Sequence, residues 1–158
     1  MRLLFVCTGN TCRSALAEAI AGREAAGRGL ADVHPSSAGT SAWDGAPASD
    51  GALLVGIERK LDVNSHRSRQ LSRDIVDQSD LILAMGPHHV ERIEALGGTG
   101  KTYLITDYAE HSQEGRAIVD PFGGGLDIYR STVDELERIM VLVFDRIASE
   151  RAPNGGTV

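Results

Sequence analysis

Residues 2–27 read RLLFVCTGNTCRSALAEAIAGREAAG. The stretch opens on a short apolar strand, residues 2–6, and passes through CTGNTC, a polar turn with one glycine. It then enters an alanine-rich segment from Arg13 to Gly27 with strong helix propensity and a terminal glycine. A strand that leads through a loop into a helix is the unit from which parallel sheets are built.

The same alternation continues outward. ADVHPSSAG (31–39) predicts a second strand ending near Ala38, and Pro47 to Lys60 predicts a helix with an apolar stripe at Leu53, Leu54 and Ile57. Ser72 caps a short helix, and DLILAM (80–85) reads as a buried strand. PHHVERIEALGG (87–98) starts with proline and ends with glycine, as helices do. KTYLIT (101–106) is the fourth strand, followed by a long loop over about 107–127. Ser131 to Glu150 is the clearest helix, with Val133, Leu136, Ile139, Met140, Val143, Phe144 and Ile147 on one face. The expected fold is α/β: a three-layer sandwich with a four-stranded parallel sheet and helices on both faces. Ligands of such sheets bind beyond the carboxyl ends of the strands, where CTGNTCRS and the 107–127 loop both emerge.

The 158 residues suffice for one domain with its own core, expected over 1–152, with APNGGTV at the end reading as a frayed tail and 153–158 as disordered. A net charge of −6 argues against sequence-independent nucleic-acid binding. No apolar run approaches the ~20 residues of a membrane helix, and the N-terminus lacks a signal-peptide pattern, so a cytoplasmic protein without a membrane partner is expected. A monomer is the simplest expectation for its assembly. Cys7 and Cys12 are the only cysteines, too few for a disulfide framework or a four-cysteine zinc site. His88 and His89 are adjacent and face different ways on a helix, so they are expected at a surface helix start rather than on a metal.

Cys7 and Arg13 form a C-x5-R pair, a weak signal alone that gains force from its setting. A strand-to-helix loop containing Gly9 can curl so that its backbone N–H groups converge as an anion nest. The helix N-terminus near Arg13 adds unpaired N–H groups, and the arginine can grip two phosphoryl oxygens at once. The same field favours the thiolate of Cys7, and Ser14 can donate a hydrogen bond to it. Thr8 to Ser14, that is Thr8, Gly9, Asn10, Thr11, Cys12, Arg13 and Ser14, is therefore the candidate phosphate-binding loop. Phosphoryl transfer also needs an acid for the leaving group, and Asp120 in VDPFGGGLD is the candidate. Asp-Pro is equally a common turn opener.

CTGNTCRSA, with SSAGT (36–40), HRSRQL (66–71) and DPFGG (120–124), resembles the low-molecular-weight protein-tyrosine phosphatase family over nearly the whole chain. The resemblance implies a flavodoxin-like fold and hydrolysis through a phosphocysteine without a metal or cofactor. It implies Cys7 as nucleophile, Arg13 as phosphate clamp and Asp120 as general acid. Asn10, Ser14, Ser37 and His66 would support the loop, and Trp43 would stand at the rim of the cleft. Ala15 departs from the proline usual there.

Substrate choice turns on Thr11, where tyrosine-specific members usually carry a bulky aliphatic residue, and on Phe122, which three glycines follow in place of a second aromatic. Threonine suits a planar guanidinium better than a phenyl ring. The combination resembles the protein-arginine phosphatase branch, so phosphorylated proteins are the expected partners, with phosphoarginine favoured and phosphotyrosine the alternative. An arsenate reductase of the thioredoxin-coupled type needs further cysteines mid-chain, and residues 80–96 hold none. A redox pair of Cys7 and Cys12 is a further expectation, as a guard against over-oxidation of the nucleophile.

Overall fold

The computed structural model describes residues 1–151, so the tail expected at 153–158 lies outside the described residues. Four strands, β1 (Arg2–Cys7), β2 (His34–Gly39), β3 (Leu81–Ala84) and β4 (Thr102–Leu104), form one parallel sheet in the order β2-β1-β3-β4. Its helices are α1 (Arg13–Gly27), α2 (Asp50–Arg59), α3 (Arg73–Gln78), α4 (Pro87–Ile93), α5 (Ile105–Glu110) and α6 (Leu126–Arg151). This is the parallel α/β sandwich expected from the alternation of elements, and the flavodoxin-like fold that the family resemblance implies.

Strand periodicity assigns the layers. Leu3, Phe5 and Cys7 point to one face, into a core shared with α1, α2, α5 and α6. Leu4 and Val6 point to the other, against Val76 of α3 and Ile93 of α4. β1 is buried on both faces, so it reads as an unbroken apolar run rather than an alternating one. Each large side chain placed there contributes roughly 1.5–3 kcal/mol by burial.

Several expectations are corrected. The 107–127 loop is shorter than its sequence implies, because Ile105, Thr106, Tyr108 and Ala109 turn inward as α5 and β4 ends at Leu104. The chain turns into α6 at Leu126, five residues before the expected start at Ser131, and Tyr129 and Thr132 extend its buried face. On α2 the buried positions are Ala52, Val55 and Gly56, whereas Leu54 and Ile57 of the expected stripe are exposed. That helix starts at Asp50, where the Ser49 side chain accepts the Ala52 N–H, rather than at Pro47. The helix expected over 87–98 ends its α-turns at Ile93 and widens into a π-turn over 94–98.

The strand order reverses at β1: the chain passes from β1 to β2 on one side, then returns to β3 on the other. The carboxyl ends of β1 and β3 therefore flank the crevice where ligands bind in such sheets.

Candidate active site

Residues 8–12 leave β1 into that crevice and enter α1, whose N-cap residue, Cys12, makes no side-chain cap. The first-turn amides of α1 are thus left to the loop side, with no acidic residue in the turn to compete for them. Asn10 occupies the left-handed region at φ 58° and is fully buried, which asparagine tolerates better than most side chains.

One hydrogen-bond chain fixes the loop and polarises the thiol. The Asn10 amide nitrogen donates to Ser14 Oγ at 2.8 Å and to Ser37 Oγ at 2.9 Å. Its carbonyl oxygen accepts the Arg69 N–H at 3.0 Å, which fixes the orientation of the amide. Ser37 passes its own hydrogen to Glu18 Oε1 at 2.6 Å. Ser14, already accepting from Asn10, has its hydrogen free for Cys7 Sγ at 2.9 Å. His66 donates from Nε2 to the Asn10 carbonyl at 2.6 Å and closes the loop from outside.

Gly39 explains why SSAGT ends its strand in glycine. A Cβ there would lie 2.4 Å from the Thr8 carbonyl oxygen and 3.0 Å from the Asn10 nitrogen. The end of β2 can approach the loop that closely only without a side chain.

Arg13 is buried at the floor of the site. Its Nη1 donates to the Ile118 carbonyl at 3.0 Å, and Nη2 lies 3.5 Å from Asp120 Oδ2. Nε is buried without a partner. The edge bearing Nε and Nη2 is the fork that grips two oxygens of a tetrahedral anion, and it remains available for one. Ile118 N also donates to the Met85 carbonyl, so the loop bearing Asp120 is pinned to the end of β3. Asp120 Oδ1 accepts the Phe122 N–H at 3.0 Å, and its side chain is 51% exposed at the mouth.

A cavity of about 290 Å³ brings together Cys7, Thr11, Arg13, Trp43, Asp120 and Phe122. Trp43 and Phe122, 85% and 72% exposed, are its aromatic rim. A larger hollow of about 530 Å³ opens at the β4 edge beside Tyr103 and Arg146, but no cysteine lines it. The residues expected from sequence thus converge: the loop, its supports and Asp120 lie around one crevice, and Thr11, Trp43 and Phe122 line it with them.

The model of the low molecular weight phosphotyrosine protein phosphatase family matches residues 2–152. The chain belongs to this family. The protein-arginine-phosphatase of Bacillus subtilis (strain 168) is 35% identical to it over 153 residues, 96% of this chain and 99% of that one. A low molecular weight protein-tyrosine-phosphatase, PtpB of Staphylococcus haemolyticus, is 38% identical over 137 residues, 86% of this chain and 92% of that one. A solved structure described as YwlE arginine phosphatase, a C7S mutant with phosphorylated active site serine, superposes with a TM-score of 0.89 at 35% identity. It covers 96% of this chain and 98% of that chain. No helix among the described residues is long and apolar enough to cross a membrane.

Within this family member, two further residues, Ser49 and Tyr129, bear on the site and escaped the sequence reading. Cys12 Sγ lies 3.1 Å from Ser49 Oγ and 3.4 Å from Tyr129 OH, and those two hydroxyls are 3.1 Å apart. Burial and the contact with Cys12 push the Tyr129 phenol up to about 12, so it stays protonated and can donate. Tyr129 could have been found by extending the α6 stripe backward from Val133 by four residues. Both cysteines are free thiols that line the cavity.

His89 is the larger correction. Expected at the surface with His88, it is fully buried, with Nε2 2.9 Å from Thr8 Oγ1. Burial, then the nearby charges of His88 and Arg13, push its pKa down to about 3, against a smaller opposite pull from Asp120. The unfolded chain takes up this proton near pH 6.5, whereas the folded chain does not until about pH 3. Stability therefore falls as pH drops through that window and is unaffected by this group above it. His89→Gln removes the contribution, so its Tm-versus-pH curve is expected to be flatter than that of wild type between pH 6.5 and 4.5. Scanning calorimetry checks this, and parallel curves would exclude a buried neutral His89.

Proposed function

We propose that the chain is a cysteine-dependent protein phosphatase working through a phosphocysteine, with protein phosphoarginine as its preferred substrate. The observation that carries the reading is the unpaired, buried Nε of Arg13 in the same cavity as a thiol that Ser14 polarises. A buried donor without a partner is costly unless a ligand supplies one, and a phosphoryl oxygen does.

In this reading the Cys7 thiolate attacks phosphorus from below as the bond to the substrate nitrogen breaks. Arg13 and the amides of residues 8–14 hold the phosphoryl oxygens, and Asp120 delivers its proton to the departing guanidine. Asp120, now a carboxylate, then takes a proton from water. The water oxygen bonds to phosphorus, the P–S bond breaks, and thiolate and phosphate are released. Asn10, Ser14, Ser37 and His66 hold the loop through both steps. The phosphorylated serine described for the C7S relative supports attack from this position.

Phosphoarginine is favoured by the relatives named as arginine phosphatases and by Thr11 at the mouth, where a hydroxyl suits a polar planar group. Phosphotyrosine is the second reading, because the exposed Trp43 and Phe122 rings offer flat faces to a phenyl ring as well as to a guanidinium. Initial rates on matched phosphoarginine and phosphotyrosine peptides decide between them. The arginine peptide is expected to show the higher kcat/KM, and Thr11→Ile to shift the ratio toward the tyrosine peptide by roughly tenfold. An unchanged ratio would remove Thr11 as a selector, and hydrolysis of neither peptide by reduced wild type would overturn the phosphatase reading.

A further inference from the structure

His89 is a buried ionisable side chain that the proposed chemistry leaves without a task. It stands in the first turn of α4, directly after β3, and meets Thr8 directly after β1, 81 residues away. The contact therefore bridges the two strand ends on either side of the crevice. The His88 ring of its own helix lies at a centroid distance of 3.8 Å, and the charges of Arg13 from α1 and of Asp120 from the loop before α6 act on it. Nδ1 is buried without a partner.

That orphan decides the tautomer. A hydrogen on Nδ1 would leave a buried N–H donor unpaired, whereas a hydrogen on Nε2 leaves only a bare lone pair, the commoner imperfection in folded proteins. With Nε2–H donating, Thr8 Oγ1 is an acceptor. Thr8 is then held at two points, since its carbonyl accepts the Ser41 N–H at 2.9 Å.

We propose that His89 is a positioning residue of the phosphate loop: its neutral ring donates from Nε2 to Thr8 Oγ1 and ties the residue after Cys7 to the first turn of α4. The inference rests on the phosphatase reading of the site. Thr8 begins the run of amides that surround the anion, so a loose Thr8 lets those amides drift from the phosphoryl oxygens. A neutral ring also keeps a second cation away from Arg13, whose free edge is reserved for the anion. The tie never touches substrate. Its loss falls on kcat more than on KM, because the amides grip the transition-state phosphoryl more firmly than the ground state.

A double-mutant cycle tests the tie. Thr8→Val removes one hydroxyl from a half-buried side chain with little change of shape, so it reads the contact without the folding cost of a core change. His89→Leu removes the ring donor, and His89→Gln places an uncharged amide donor near the position of Nε2. Thr8→Val and His89→Leu are each expected to lower kcat by about tenfold or more. The double variant is expected to be no worse than His89→Leu alone, and His89→Gln to recover most of the loss. Losses that multiply in the double variant, or a glutamine no better than leucine, would overturn the tie. The kcat/KM profiles of wild type and His89→Gln are expected to superimpose from pH 5 to 8. An acidic limb present only in wild type would show that the ring titrates and would overturn its neutral role.

The four proteins of the cycle, wild type, Thr8→Val, His89→Leu and the double variant, are titrated with inorganic phosphate by calorimetry, which needs no turnover. If wild type hydrolyses neither phosphopeptide, the phosphatase reading fails while the coupling is still read from phosphate affinity. If wild type is active and the losses are additive, the reading stands and the positioning role of His89 fails.

Discussion

Cys7→Ser is expected to lower kcat/KM on phosphopeptides by about 10⁴-fold or more, while inorganic phosphate binding stays within a few-fold of wild type. The reason lies in the direction of the hydrogen bonds. Asn10 donates into Ser14, which directs the Ser14 hydrogen at position 7, and a serine hydroxyl is in any case no base for a group there. A thiol beside such a donor attacks as its thiolate. A hydroxyl in the same place needs a base, and none is hydrogen-bonded to position 7: the Asp120 carboxylate lies beside Arg13, half exposed at the mouth. A serine that does slowly accept a phosphoryl group forms an ester with a poor leaving group, so turnover still stalls. The cradle is untouched by the change, because Arg13 keeps Ile118 and the loop keeps Asn10, Ser37 and His66. Initial rates and a phosphate titration on one preparation measure both quantities. A loss below about tenfold would place the attacking group elsewhere.

What the sequence revealed of this site follows from how local each part is. Cys7 to Ser14 are contiguous, and their setting between an apolar strand and an alanine-rich helix is written in the same twenty-six residues. Asp120 was legible as a carboxylate in the long loop on the edge where CTGNTCRS emerges, and it lines the same cavity as Cys7 and Arg13. The contact of Thr8 with His89 was not, since it depends on β3 returning beside β1 after β2 has paired on the far side. A histidine pair after proline looks the same whether its helix starts in solvent or against a catalytic loop.

The α2 error has a different cause. Leu54 and Ile57 are the large apolar letters, yet the helix packs through Ala52, Val55 and Gly56. Small residues let it lie close: a Cβ on Gly51 would fall 2.3 Å from the Tyr129 ring, and one on Gly56 would fall 2.6 Å from Val63 Cγ2. Hydrophobicity counts side-chain size, and a close helix contact is built from its absence. Ile105 and Thr106 were read as strand for the opposite reason, since a continuous apolar run carries no sign of where it bends. The burial of Tyr108 and Ala109 against the core decided the bend, and no residue within the run announces it.

Asp120→Asn is expected to lower kcat/KM on a phosphoarginine peptide by about 10²–10³-fold but on 4-nitrophenyl phosphate by less than about tenfold. kcat/KM reports the steps through the first bond cleavage, and the two substrates differ there in how much proton the leaving group needs. A guanidine nitrogen departs poorly without one, whereas nitrophenolate departs unaided. Asparagine preserves the local turn, because its carbonyl oxygen still accepts the Phe122 N–H that Asp120 Oδ1 accepts at 3.0 Å. It also loses the carboxylate 3.5 Å from Arg13 Nη2, which frees the guanidinium fork for phosphate and if anything tightens its binding. A fall in rate therefore reports proton transfer rather than a damaged cradle. In the second step the leaving group is gone and both substrates share one phosphocysteine, which needs a base for water. The kcat values are then expected to fall to the same low level, with a rapid burst of nitrophenol preceding the slow steady state. Equal losses of kcat/KM on the two substrates, with no burst, would mean that Asp120 holds the loop rather than moves the proton.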